Sequence, residues 1–165
     1  MCAPSTPADL QLLRADHAPA LLAFEETNRA YFAATVPDRG DAYFRDFGAR
    51  HRALLAEQAD GLCYFHVLVG EAGEILGRIN LVDVAEGSAE LGYRIAEKAA
   101  GRGLATRGVR QACGLAASAY GLTGLRATTT LDNPGSRAVL ARTGFVPCGT
   151  ITLDGRPGTA YTLTL

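Results

Sequence analysis

The stretch Ala100-Gly101-Arg102-Gly103-Leu104-Ala105-Thr106 joins a strand-like run (residues 89–95) to a long run of Ala, Leu and Val with helical spacing. A glycine turn that feeds a helix leaves the first backbone N–H groups of that helix without partners. The helix dipole adds partial positive charge at the same point. Together they make a seat for an anion, best suited to phosphate or diphosphate. The turn lacks the Gly-Lys-Ser/Thr ending of a P-loop and is too short for the three-glycine dinucleotide fingerprint. Taken alone it also fits an ordinary tight strand–helix connection.

A second block follows the same grammar. Residues 125–130 read as a strand, and Leu131-Asp132-Asn133-Pro134-Gly135-Ser136 as a turn running into a helix over 137–142. Thr143-Gly144 ends that helix, and Phe145-Val146 opens another strand. Upstream, residues 10–14 read as a strand. Asp16 is a candidate N-cap for a helix running to about residue 33, with Pro19 in its first turn. A second helix is expected over 41–59. The period then shortens, giving strands over 62–69, 74–82 and 88–95 joined by short turns, an antiparallel meander. A helix over 103–120 follows the glycine turn, and Gly155-Arg156-Pro157-Gly158 separates two final strands. The order is strand, two helices, three strands, helix, strand, helix, two strands: a mixed α/β (α+β) class in a single domain over 1–165. Gly108 and Gly114 fall inside the long helix, where each weakens it by roughly 1 kcal/mol relative to alanine. A tight helix–sheet contact is the reading for Gly114.

Composition narrows the function classes. The chain has 165 residues, 48% hydrophobic and 20% charged, with net charge −1. That is a soluble globular balance with no electrostatic case for nucleic acid. No apolar stretch reaches membrane-spanning length and no basic-then-apolar leader opens the chain, so a cytoplasmic location is expected. Cys2, Cys63, Cys113 and Cys148 are far apart and show no metal-ligand spacing. Cys63 and Cys113 sit in apolar runs as buried thiols, and Cys148 is expected to be partly exposed. His17, His51 and His66 offer no recognisable pairing with them. A metal site is not expected.

Residues 90–149 resemble the acyl-CoA-binding half of the GNAT superfamily of N-acyltransferases, in particular its Rim-type branch, which includes the ribosomal-protein alanine N-acetyltransferases. The superfamily pattern Gln/Arg-x-x-Gly-x-Gly/Ala falls on Ala100, Gly103 and Ala105. The branch pattern Asn-x-x-Ser, followed by a helix and a Gly-Phe pair, falls on Asn133, Ser136, Gly144 and Phe145. Ala100 departs from the pattern, and Lys98, Arg102 and Arg107 are the candidates to replace the missing charge. The resemblance implies a GNAT-like sheet, mostly antiparallel, with a splayed central strand pair. It implies acetyl transfer from acetyl-CoA to a primary amine, on a protein N-terminus or a small molecule. A non-catalytic acyl-CoA-binding regulator is the third reading.

Under that resemblance the backbone of Arg102, Gly103, Leu104, Ala105 and Thr106 anchors the diphosphate. The strand edge Tyr93-Arg94-Ile95 pairs with the pantetheine arm and offers N–H groups to the thioester carbonyl. Asn133 before Pro134 reads as a turn-shaping residue; the resemblance makes it also a pantetheine ligand. Ser136 reads either as a helix cap or, by resemblance, as the proton donor to the leaving thiolate, with Tyr93 and Tyr161 as alternative donors. Glu90 reads as a solvent-facing strand residue or, by resemblance, as the base for the amine. The acceptor site is implied against the two N-terminal helices and the last inter-strand loop. Glu25, Glu26, Asn28, Arg29, Tyr31, Phe32, Asp38, Tyr43 and Phe44 are its candidate lining. Aromatic residues on the second helix would suit a homodimer.

Overall fold

The computed structural model describes residues 7–165; Cys2 lies outside them. The chain opens with β1 (Asp9–Leu12), then α1 (Ala18–Thr27), α2 (Arg29–Ala33), α3 (Asp41–Arg45) and α4 (Phe47–Ala59). After these come β2 (Tyr64–Val69), β3 (Ile75–Ala85), β4 (Ser88–Ile95), α5 (Leu104–Ser118), β5 (Gly124–Thr130), α6 (Pro134–Arg142), β6 (Val146–Leu153) and β7 (Arg156–Thr164). Among the described residues, seven strands form one sheet in the order β1-β2-β3-β4-β5-β7-β6. Only β4 with β5 runs parallel; the other neighbours are antiparallel. The mixed α/β class and the meander agree with the sequence reading.

Strand alternation distributes the apolar residues over two cores. Phe65 and Val67 of β2 face one core, with Leu21, Phe24, Phe32 and Phe47 from the N-terminal helices. Leu68, Ile79, Leu81, Ala89 and Leu91 face the other, with Leu104, Val109 and Ala112 of α5. So α1 to α4 cover one face of the sheet and α5 the other. Gly108 is the tight helix–sheet contact: a Cβ there would lie 2.4 Å from Ile79 Cδ1. The expectation for Gly114 was wrong, since a Cβ there meets nothing within 4 Å.

Other local expectations are corrected as well. Each long N-terminal helix is two helices. Asn28 breaks the first: its side-chain Nδ2 donates to the Phe24 carbonyl at 2.9 Å, and its Oδ1 accepts the Glu97 N–H at 3.0 Å. A short polar side chain that competes for backbone groups favours such a break. Asp46, with φ −101° and ψ 18°, separates α3 from α4. Asp16 is not a helix cap; it sits in a 3-10 turn and pairs with Arg14 at 3.0 Å. The last hairpin turns on Asp154-Gly155, with φ +50° and +76°, and Arg156 already belongs to β7. Positive φ at both central residues marks the turn whose twist matches a hairpin. Tyr43 and Phe47 are buried, so the aromatic face expected to suit a homodimer is consumed by the core.

Candidate active site

β4 and β5 pair only at Ser88, Ala89 and Glu90, opposite Gly124, Leu125 and Arg126. Past Glu90 the two strands part, while β4 stays paired to β3 and β5 to β7. Polar backbone groups of residues 91–95 that face β5 therefore have no strand partner. This is the splayed pair expected from the sequence, with Glu90 at its apex.

α5 begins where the splay opens. Gly101 and Gly103 have φ +74° and +76°, a region that side chains with a Cβ avoid. Among the described residues, no backbone carbonyl accepts from the N–H groups of residues 102–106. The first amide there with a partner is that of Arg107, which donates to the Gly103 carbonyl at 3.1 Å. Those N–H groups are left without a backbone acceptor, which is what an anion seat needs. Gly103 is required by its φ; an added Cβ would meet nothing within 4 Å of it in the protein.

α6 supplies the opposite wall. Asn133 Oδ1 accepts the backbone N–H of Ser136 at 3.2 Å, and Pro134 takes the first helical position. The cap of this helix is Asn133, so the capping role considered for Ser136 is excluded and the serine hydroxyl is left for other partners. The Tyr93 hydroxyl interacts with the Ser136 side chain; burial pushes the Tyr93 pKa up and this contact opposes part of the rise.

Two cavities meet here. One, of about 500 Å³, runs from the glycine turn before α5 along Tyr93, Arg94 and Ile95 to Asn133 and Ser136. The other, of about 460 Å³, lies between the parted strands and is closed by residues 33–37 and the β6–β7 turn. Tyr93, Asn133 and Ser136 line both. A long cosubstrate can enter from one side and a second reactant from the other, with Tyr93 and Ser136 hydroxyls at the junction.

The chain from residue 9 to 146 matches the family model described as acetyltransferase (GNAT) domain. The chain belongs to the GNAT acetyltransferase family. Its fold superposes on ribosomal-protein-S5-alanine acetyltransferase from Vibrio fischeri with TM-score 0.90, at 20% identity over 98% of this chain and 97% of that one. Mycobacterium smegmatis RimJ, solved in complex with CoA-disulfide, matches with TM-score 0.87 at 24% identity over 99% and 84%. Spermidine N-acetyltransferase from Vibrio cholerae, in complex with CoA and spermine, matches with TM-score 0.77 at 17% identity over 95% of each chain. A search of curated protein sequences gives no match.

In this GNAT acetyltransferase the first cavity carries the glycine turn before α5. Gly103, Leu104, Ala105 and Thr106 line it, whereas the Arg102 side chain is exposed and lies outside its wall. Of the charges considered to replace the one missing at Ala100, Lys98 lines a different cavity and Arg107 is engaged within the fold. Arg110 donates Nη2 to the Arg142 carbonyl at 3.0 Å, tying α5 to α6. Arg142 itself reaches the cavity wall, a role the sequence reading missed. The signal was present: Gly135, Ala138, Val139 and Arg142 recur at the spacing of one helical face. Tyr161 is 7% exposed within the main core and lines neither cavity. Glu90 is half-buried at the apex and is absent from both walls.

The implied acceptor residues divide sharply. Tyr31 and Phe32 line the first cavity. Glu25 does not face an acceptor; its side chain is 1% exposed. It accepts from Arg78 Nη1 at 2.8 Å, from Arg39 Nη2 and Nε at 3.1 Å each, and from Arg94 Nη1 at 3.2 Å. Burial would raise its pKa, but Arg78, Arg39 and Arg94 outweigh that and hold the carboxyl below the ordinary glutamate value. Arg94 also stacks over the Phe32 ring at 4.8 Å. Glu25 thus fixes the outer part of β4 against α1 and α2. Arg29 is committed to Asp38 and Asp41, at 2.8 Å each.

Burial pushes the Cys63 and Cys113 thiols up to about 11, which leaves them protonated and poorly nucleophilic at neutral pH. Cys148 is exposed on the edge strand β6. Among the described residues no group of three His, Cys, Asp or Glu stands together to hold a metal, and no helix is long and apolar enough to cross a membrane.

Proposed function

We propose that this acetyltransferase moves the acetyl group of acetyl-CoA to the α-amine of a protein N-terminus of ribosomal-protein type, in the cytoplasm. The observation that carries the reading is the junction at Tyr93, Asn133 and Ser136, where a cavity with a diphosphate seat meets a second cavity opening to the surface. The backbone N–H groups of Arg102, Gly103, Leu104, Ala105 and Thr106 hold the diphosphate. The open edge of β4 at Tyr93, Arg94 and Ile95 takes the peptide-like arm as an added strand. N–H groups of that edge polarise the thioester carbonyl. Asn133, with Oδ1 already committed, offers Nδ2 to the arm.

The amine nitrogen bonds the thioester carbon, and the carbon–sulfur bond breaks. One proton leaves the amine and one reaches the departing thiolate. Ser136, with Tyr93 beside it, supplies the second. Glu90 at the apex of the splay takes the first through water, since it stands outside both cavity walls.

Small amines are the second reading, favoured by the fold match to a spermidine acetyltransferase and by a carboxylate, Asp154, in the wall of the acceptor cavity. Incubation with labelled acetyl-CoA, a panel of N-terminal peptides and a panel of polyamines separates the readings. Label on peptide α-amines supports the proposal, and label on polyamines alone replaces it with the second. CoA binding with no transfer to any amine would leave an acyl-CoA-binding regulator.

A further inference from the structure

We infer that Asp154 makes this enzyme prefer acceptors that carry a second positive charge some way behind the reacting amine. The inference rests on the acetyl-transfer reading above and names the acceptor class. The acceptor cavity is walled largely by small or apolar residues such as Ala33, Ala34, Val36 and Leu91. Its wall holds two charged residues, Asp154 and Arg156. The cation is already occupied: Arg156 Nη2 pairs with Asp132, and its Nη1 donates to the Thr35 carbonyl at 3.4 Å. Asp154 forms no ion pair among the described residues. It therefore gives the cavity its uncompensated negative charge.

Position sets what that charge can meet. Asp154 is exposed, at the outer rim, whereas Tyr93 and Ser136 line the junction with the acetyl-CoA side. The reacting amine must reach the junction and lose its proton. The carboxylate therefore engages a charge carried further back on the acceptor. Turn geometry does not explain the choice of residue. Asp154 has φ +50° in a two-residue Asp-Gly turn, and Asn-Gly serves that turn equally well. The shared ligand chemistry is an ammonium or guanidinium, supplied by a Lys or Arg near a protein N-terminus or by a polyamine.

Asp154→Asn keeps the turn and removes the charge, so it isolates the proposal. The assay uses two hexapeptides beginning with alanine that differ only in Lys or Glu at the third position, with spermidine as a third acceptor. The wild type is expected to show a lower KM for the Lys peptide. In Asp154→Asn that KM rises about three- to fivefold, the range of an exposed charge pair. kcat and KM for acetyl-CoA stay in place. The difference shrinks in high salt. Arg156→Gln, which releases Asp132 as a second carboxylate, shifts the Lys-peptide KM the other way. The same pattern with spermidine assigns the charge to small polyamines, and a pattern confined to peptides assigns it to proteins. An enzyme that uses the Lys and Glu peptides with an unchanged KM ratio in Asp154→Asn overturns this inference alone. One that transfers to none of the three overturns the proposed function and the inference with it.

Discussion

Ser136 gives only its backbone N–H to the helix start, because Asn133 caps α6. Its hydroxyl is thereby available beside Tyr93. Ser136→Ala is expected to lower kcat by at least about 10²-fold, the usual worth of a positioned proton donor, while KM for acetyl-CoA changes little. Because the two hydroxyls serve one proton, Ser136→Ala combined with Tyr93→Phe should cost little more than the worse single change. Steady-state kinetics of the four enzymes decide this, and additive losses would separate the roles. Asn133→Asp keeps the capping oxygen and loses Nδ2. An unchanged melting temperature with a raised KM for acetyl-CoA would establish Nδ2 as a pantetheine donor. Glu90→Gln should lower kcat by about 10²-fold if the carboxylate takes the amine proton; an unaltered kcat would strike Glu90 from the mechanism.

At the scale of elements, the glycine turn before α5 and the start of α6 were legible because each is a local backbone device. Glycines at positive φ, an Asn-Pro step and a serine three residues on are all visible within a few positions of one another. The breaks at Asn28 and Asp46 were not legible, because apolar spacing continues through them. Glu25 misled the sequence reading for a related reason. Its partners lie 14, 53 and 69 residues away, so an acidic residue on an N-terminal helix was read as acceptor-site lining. Removing one member of a buried ionic cluster leaves charges uncompensated and typically costs 3–5 kcal/mol. Glu25→Gln is accordingly expected to lose about 3 kcal/mol of stability. Since Arg94 lines the cavity proposed for acetyl-CoA, the substitution should also raise KM for acetyl-CoA, which chemical denaturation and kinetics on one preparation would show.

Across the whole molecule, pH acts through buried groups. His66 is fully buried in β2. Its Nδ1 lies 3.0 Å from the Ile79 carbonyl and must donate to it, so Nε2 accepts the Tyr120 hydroxyl at 2.6 Å. Burial lowers its pKa, and that of His17 also falls. Below the ordinary histidine value near 6.5 the unfolded chain binds protons that the folded one refuses, so stability drops as pH falls from there. Glu25 adds a second loss below about 4.5, where the unfolded carboxyl protonates before the folded one. Melting temperature followed from pH 8 to 4 should fall in these two windows. His66→Gln should flatten the first, and a slope unchanged by that substitution would assign it elsewhere.

The class of fold, the glycine turn before α5 and the Asn133–Ser136 pair were legible in the chain, because turns, caps and period are written in neighbouring residues. How those parts are brought together is set by the assembled sheet. The parting of β4 from β5 after Glu90, the two cavities meeting at Tyr93, and the burial of Glu25 among three arginines all depend on contacts between distant segments. Charge and periodicity do not specify such contacts until the sheet is assembled.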